Sequence, residues 1–158
     1  MTRETAMFGA GCFWGVEHAF RQVDGVLETA VGFAGGTTEN PTYEQVCTDQ
    51  TGHAEVVLVE FDPAAVTFEM LLETFFGCHD PTQRNRQGPD IGRQYRSVVF
   101  AFSKAQRDAA ERAIEALASS GRFKKPIVTE VKQSAPFYRA EEYHQRYIEK
   151  NGGAACGI

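Results

Sequence analysis

The stretch Gly9-Ala10-Gly11-Cys12-Phe13-Trp14-Gly15 sets a cysteine beside two aromatic side chains, one of them the only tryptophan of the chain, among glycines. Thr5 to Phe8 reads as a short strand, and from Phe13 the apolar residues Phe13, Val16, Ala19, Phe20 and Val23 recur at helical spacing. Cys12 is therefore expected at a helix N-terminus. Unpaired backbone N–H groups and the positive end of the helix dipole favour negative charge there, which biases a thiol toward its nucleophilic thiolate. Gly11 and Gly15 permit tight turning, and Phe13 and Trp14 bring an apolar wall to the same spot. The alternative is that Cys12 is one more buried cysteine and its aromatic neighbours are core. The stretch alone leaves both open.

Other side chains could complete a reaction centre. Glu55, in Gly52-His53-Ala54-Glu55, stands at the mouth of a strongly apolar strand, and a carboxyl group buried beside aromatics has its pKa raised and can serve as an acid near neutral pH. Exposed on the strand, it would do nothing of the kind. Tyr43 and Tyr95 could each present a hydroxyl to a developing oxyanion, or be half-buried tyrosines. Cys47, His53, Cys78 and His79 offer no C-x-x-C pair and no tetrahedral ligand spacing, so no metal site is expected. Cys78 is expected in the core and Cys47 in an exposed loop. Gly9-Ala10-Gly11 with Gly15 falls one residue outside the dinucleotide fingerprint, and Phe13 and Trp14 put bulk where a pyrophosphate needs bare backbone. Two rival readings use the same cysteine stretch. One is a cysteine hydrolase with Cys12 as nucleophile and His144 as base, although the local signature of such enzymes is missing. The other is a binding module that holds methionine or aromatic side chains against Phe13 and Trp14.

The elements that must position these residues follow in order. Val26 to Phe33 reads as a second strand, Thr37 to Gln50 as a long loop, and Ala54 to Phe61 as a third strand. Thr67 caps a helix with a core face of Phe68, Leu71, Leu72, Phe75 and Phe76. Asp80 to Arg93 is a second long loop, Tyr95 to Phe102 a strand, and Ser103 with Gln106 opens a helix to about Ser120. Ile127 to Val131 is expected as a strand, Ala140 to Lys150 as a helix, and 151–158 as a mobile glycine-rich tail. Strand, helix, strand, strand, helix, strand is the order of a split βαβ unit. The expected class is α+β, a two-layer sandwich with a ferredoxin-like core, extra helices and a long C-terminal tail.

The chain has 158 residues, 42% of them hydrophobic, which fills one core, and a single domain over 1–158 is expected. Sixteen basic against twenty-one acidic residues give a net charge of -5, which argues against nucleic acid as a partner. Met1-Thr2-Arg3-Glu4 holds no apolar signal core and no apolar run approaches membrane-spanning length, so no membrane partner and a cytoplasmic location are expected. In that setting four cysteines are thiols with a task, or buried, rather than a disulfide framework.

Taken together, Gly11-Cys12-Phe13-Trp14-Gly15, Tyr43, Gly52-His53-Ala54-Glu55, Asp90 and Gln94-Tyr95-Arg96-Ser97 closely resemble the A-type peptide methionine sulfoxide reductases, one of two families that repair methionine sulfoxide. The resemblance runs from the first strand to Cys156-Gly157-Ile158. It implies that Cys12 attacks the sulfoxide sulfur, that Phe13 and Trp14 hold the substrate methyl group, and that Glu55 protonates the oxygen. Tyr43 and Tyr95 would hydrogen-bond that oxygen, and Asp90 would orient the substrate. The substrates implied are the S epimers of free and peptide-bound methionine sulfoxide. Cys156 matches the family's first resolving cysteine, and the glycines around it would let it swing in to form a disulfide with Cys12. Many members carry a further tail cysteine, whereas this sequence ends two residues after Cys156, so direct reduction of that disulfide by thioredoxin is expected. No metal, flavin or nucleotide is implied, and a monomer is expected.

Overall fold

A computed structural model describes residues 3–151; the tail, with Cys156, lies outside the described residues. In chain order the elements are β1 (Glu4–Ala10), α1 (Phe13–Arg21), β2 (Val26–Ala34), α2 (Tyr43–Cys47), β3 (Ala54–Phe61) and α3 (Phe68–Gly77). There follow β4 (Arg86–Gln87), β5 (Asp90–Ile91), β6 (Ser97–Ala101), α4 (Lys104–Ser119), β7 (Glu130–Gln133), β8 (Tyr138–Arg139) and α5 (Tyr147–Asn151). Six strands form one sheet in the order β7-β6-β1-β3-β2-β8, and β4 with β5 makes a small separate hairpin. β3 lies between β1 and β2 and is antiparallel to both, so the β1-α1-β2 unit is split by a strand. This arrangement gives the α+β class expected from the element order.

Alternation along the strands explains the two layers. Phe8, Val57, Val59 and Phe61 point to one face, where Phe13, Val16 and Phe20 of α1 and Leu71, Leu72 and Phe75 of α3 complete the main core. Phe8 sits at its centre, with ring centroids 4.9 Å from Phe20, 5.2 Å from Phe75 and 5.8 Å from Phe68. Met7, Val56, Val98 and Phe100 point the other way and are covered by Ala135 and Phe137.

Several boundaries differ from the sequence reading, each for a physical reason. Thr37 to Gln50 is not all loop, because Thr42 caps α2 through a reciprocal box. Gln45 N–H donates to Thr42 Oγ1 at 3.1 Å while Gln45 Oε1 accepts from Thr42 N–H at 2.9 Å. The strand expected from Tyr95 starts at Ser97, since Arg93 to Tyr95 form a 3-10 turn. The strand expected at Ile127 to Val131 is β7, displaced to Glu130–Gln133 and paired in parallel with β6. The helix expected over Ala140 to Lys150 is broken. Glu142–His144 is a 3-10 turn, and α5 begins only after Arg146, whose φ is 52° and whose N–H donates to Glu17 Oε1 at 2.7 Å.

Candidate active site

Cys12 is the residue that caps α1 at its N-terminus, and it is buried, with 9% of its surface exposed. The turn that delivers it requires glycine. Gly11 has φ +100°, and a Cβ there would lie 2.9 Å from Gln87 Cβ and Cγ. Gln87 in turn is clamped, accepting from Asp80 N–H at 2.8 Å and donating to Asp80 O at 2.9 Å. The second long loop is thereby fixed over the start of α1.

The unpaired N–H at the start of α1 finds a carboxylate oxygen. Phe13 N–H donates to Glu55 Oε1 at 3.2 Å, which sets that carboxyl group one peptide unit from Cys12. Glu55 lies on the face of β3 that carries Val57 and Val59, and it is 1% exposed. Burial pushes its pKa up to about 7; the bonds from Gln94 and Phe13 oppose the rise, and the nearby Asp90 adds to it. Gln94 Nε2–H donates to Glu55 Oε2 at 3.1 Å, so each carboxyl oxygen has its own donor.

Both candidate tyrosines belong to this neighbourhood. Tyr43, on α2, has its pKa raised by burial, then by the nearby Glu55 and Cys47. Tyr95, at the end of the 3-10 turn, is raised by burial, then by Glu55, Asp90, Cys47 and Cys12. Both phenols therefore stay protonated and able to donate across the physiological range. Asp90 opens β5 in the small hairpin beside them.

Aromatic rings close the rest of the site. Phe13 is fully buried between Phe33, at 5.6 Å, and Tyr43, at 6.2 Å. The half-buried Trp14 stacks on Tyr147 at 3.9 Å with planes 10° apart. Its Nε1–H donates to His144 Nδ1 at 2.9 Å. His144 is wholly buried in the 3-10 turn, its ring centroid 4.4 Å from that of Tyr43. With Nδ1 accepting, the neutral ring carries its proton on Nε2, which has no hydrogen-bond partner among the described residues. Burial lowers the His144 pKa, partly offset by Glu141, so the neutral ring is favoured.

The C-terminal segment is held against this wall by polar clamps. The Gln145 side chain accepts from Val31 N–H at 2.8 Å and donates to Val31 O and Ala140 O, both at 2.9 Å. Glu141 accepts from Tyr43 N–H at 3.3 Å, tying the same segment to α2.

The structure thus gathers Cys12, Phe13, Trp14, Tyr43, Glu55, Asp90 and Tyr95 around the start of α1. Sequence reasoning missed Gln94, which it quoted only within a motif, and the aromatic partner Tyr147. His144 joins the site through its bond to Trp14. Cys78 is buried as expected and its thiol is pushed up to about 12, while Cys47 is exposed. Among the described residues no group of three or more His, Cys, Asp or Glu side chains is gathered to hold a metal ion. No helix among them is long and apolar enough to cross a membrane.

A sulfur nucleophile set one peptide from a carboxylic acid that holds its proton near neutral pH suits reactions in which an oxygen must be protonated as sulfur attacks. Such an arrangement is suited to a thiol-dependent enzyme. The family model for peptide methionine sulfoxide reductase matches residues 4–158. The peptide methionine sulfoxide reductase MsrA of Methanoculleus marisnigri is 60% identical over 153 residues, covering 97% of this chain and 93% of that protein. The reduced form of Mxr1 from Saccharomyces cerevisiae superposes with a TM-score of 0.88 at 38% identity, over 98% of this chain and 90% of that one. Mxr1 solved in complex with Trx2 superposes with a TM-score of 0.60 at 27% identity, over 92% and 84%. This chain belongs to the peptide methionine sulfoxide reductase family.

Proposed function

We propose that the protein reduces the S epimer of methionine sulfoxide, free and peptide-bound, with Cys12 as nucleophile and Glu55 as acid. The observation that carries this reading is the Phe13 N–H to Glu55 Oε1 bond, which joins the buried acid to the start of the Cys12 helix. The Cys12 thiolate attacks the sulfoxide sulfur while the Glu55 carboxyl proton passes to the oxygen, helped by neutral Tyr43 and Tyr95 hydroxyls. The protonated oxygen leaves as water as the sulfur–oxygen bond breaks, which leaves methionine joined to Cys12 as a sulfonium. Water then adds to the Cys12 sulfur, breaking the sulfur–sulfur bond, giving back a proton, releasing methionine and leaving Cys12 as a sulfenic acid. Phe13 and Trp14 hold the substrate methyl group, and Asp90 orients the substrate. Cys156 then condenses with the sulfenic acid, releasing water and forming the Cys12–Cys156 disulfide. A thioredoxin dithiol reduces that disulfide, so the overall exchange is methionine sulfoxide and dithiol to methionine, disulfide and water. The Mxr1 complex with Trx2 supports the last step. We place the chain as one domain over 1–158, a cytoplasmic monomer, with Cys156 as the resolving thiol and no resident metal or prosthetic group. Its acidic net charge fits neither nucleic acid nor an anionic membrane surface as partner.

Reduced protein, mixed with separate S and R epimers of a methionine sulfoxide peptide and no recycling reductant, tests the reading. Expected is about one methionine per chain from the S epimer, with the thiols of Cys12 and Cys156 lost together. Turnover of neither epimer with every thiol retained would refute it.

A further inference from the structure

Gln94 has no part in the reaction steps proposed above, yet it is 3% exposed and spends its side-chain amide on Glu55. Its Nε2 donates to Glu55 Oε2 at 3.1 Å and to Cys47 Sγ at 3.6 Å, using both N–H bonds. Neighbouring residues hold it in place. Arg93 N–H donates to Asp49 Oδ1 at 3.1 Å, and its guanidinium donates to Asp49 O at 2.8 Å, pinning the 3-10 turn to the end of α2. Gly92 N–H donates to Asn85 O at 2.9 Å and fixes the turn from the other side. The amide is therefore aimed at Glu55 before any substrate arrives.

We propose that Gln94 is a positioning residue for the reaction: its amide fixes Oε2 of the Glu55 carboxyl group and favours release of the acidic proton to the substrate. The physical reason is one of balance. A carboxyl group buried in this way would otherwise hold its proton too tightly, and a general acid works best when its affinity for the proton lies close to the working pH. A donor on the charged form opposes burial without adding a positive charge. The other titratable groups facing this carboxyl are Asp90, which raises its proton affinity, and the Tyr43 and Tyr95 phenols, with the Cys12 and Cys47 thiols beside them. None of these is a cation, so the Gln94 and Phe13 donors are what the structure provides to stabilise the carboxylate.

The inference rests on the acid role of Glu55, and two readouts separate the two ideas. Carboxyl-13C NMR of the reduced full-length chain, labelled at glutamate, gives the titration of Glu55, its signal assigned by its loss in Glu55→Gln. Gln94→Met, which keeps the length and removes the donor, is expected to raise the midpoint by about one pH unit. Gln94→Glu, which sets a second carboxyl against the first, is expected to raise it further. Single-turnover methionine formation, followed against pH in the same variants, is expected to shift its profile with the midpoint. An unmoved midpoint in both Gln94 variants, with native spectra, overturns the role of Gln94. Full single-turnover activity in Glu55→Gln instead refutes the acid reading on which the inference stands.

Discussion

Glu55 and His79 should make stability respond to pH in opposite directions, and removing one exposes the other. The ordinary value for Glu55 is 4.5 and in the fold it is about 7. Folding therefore takes up a proton there, and the stability it contributes is present below pH 4.5 and lost as pH rises through 7. A gap of about 2.5 pH units corresponds to about 3 kcal/mol. His79 is the mirror case. Its ring lies buried between Phe75 O, at 2.7 Å, and Ser97 Oγ, at 2.7 Å, and burial lowers it from 6.5 to about 4. Its contribution is present above pH 6.5 and lost as pH falls through 4, again by about 3 kcal/mol. Between pH 4.5 and 6.5 the two slopes oppose each other, so these two groups leave the parent nearly flat. Glu55→Gln removes one slope. Relative to the parent, the variant should gain about 2.5 kcal/mol between pH 5 and pH 8, as read from urea unfolding at each pH. A parent-to-variant difference that stays constant within about 0.5 kcal/mol across that range would refute the reasoning.

Three further outcomes follow from packing and clamps. In the folded reduced protein at pH 8, iodoacetamide should label Cys47 and leave Cys78 unmodified, and Cys78 should react only once urea unfolds the chain; peptide mass spectrometry reads both. Gln145→Leu strips partners from Val31 N–H, Val31 O and Ala140 O and should cost about 2–4 kcal/mol, seen as a lower denaturation midpoint. Phe8→Ala empties the space among Phe20, Phe68 and Phe75 and should cost about 3–5 kcal/mol in the same assay.

Much of the scaffold was legible where a pattern repeats over two turns or more. α1, α3 and α4 carry apolar residues at helical spacing, and β3 carries branched and apolar residues on both faces. The burial of Glu55 was left open by the sequence reading, although Glu55 shares the alternate positions of Val57, Val59 and Phe61 that the structure turns to the core. α2 was hidden by its length of five residues, although Thr42 with Gln45 spelled its cap. The break at Arg146 has no local signal, because what stops the helix is a carboxylate 129 residues away in the chain. Gln94 was invisible for the same reason. Its partners Cys47 and Glu55 are 47 and 39 residues distant, and only tertiary structure brings them to one amide.

Trp14, the only tryptophan, is stacked on Tyr147 and bonded to His144 in the wall of the site. All tryptophan emission from this protein therefore arises beside Cys12, in the wall of the candidate site. A change in the neighbouring sulfur, in the protonation of His144 or in the seating of a sulfoxide alters the surroundings of one indole, with no second fluorophore of its kind to dilute the signal. The chain carries its own optical reporter, and the proposed half-reactions are expected to be readable in its emission without a label.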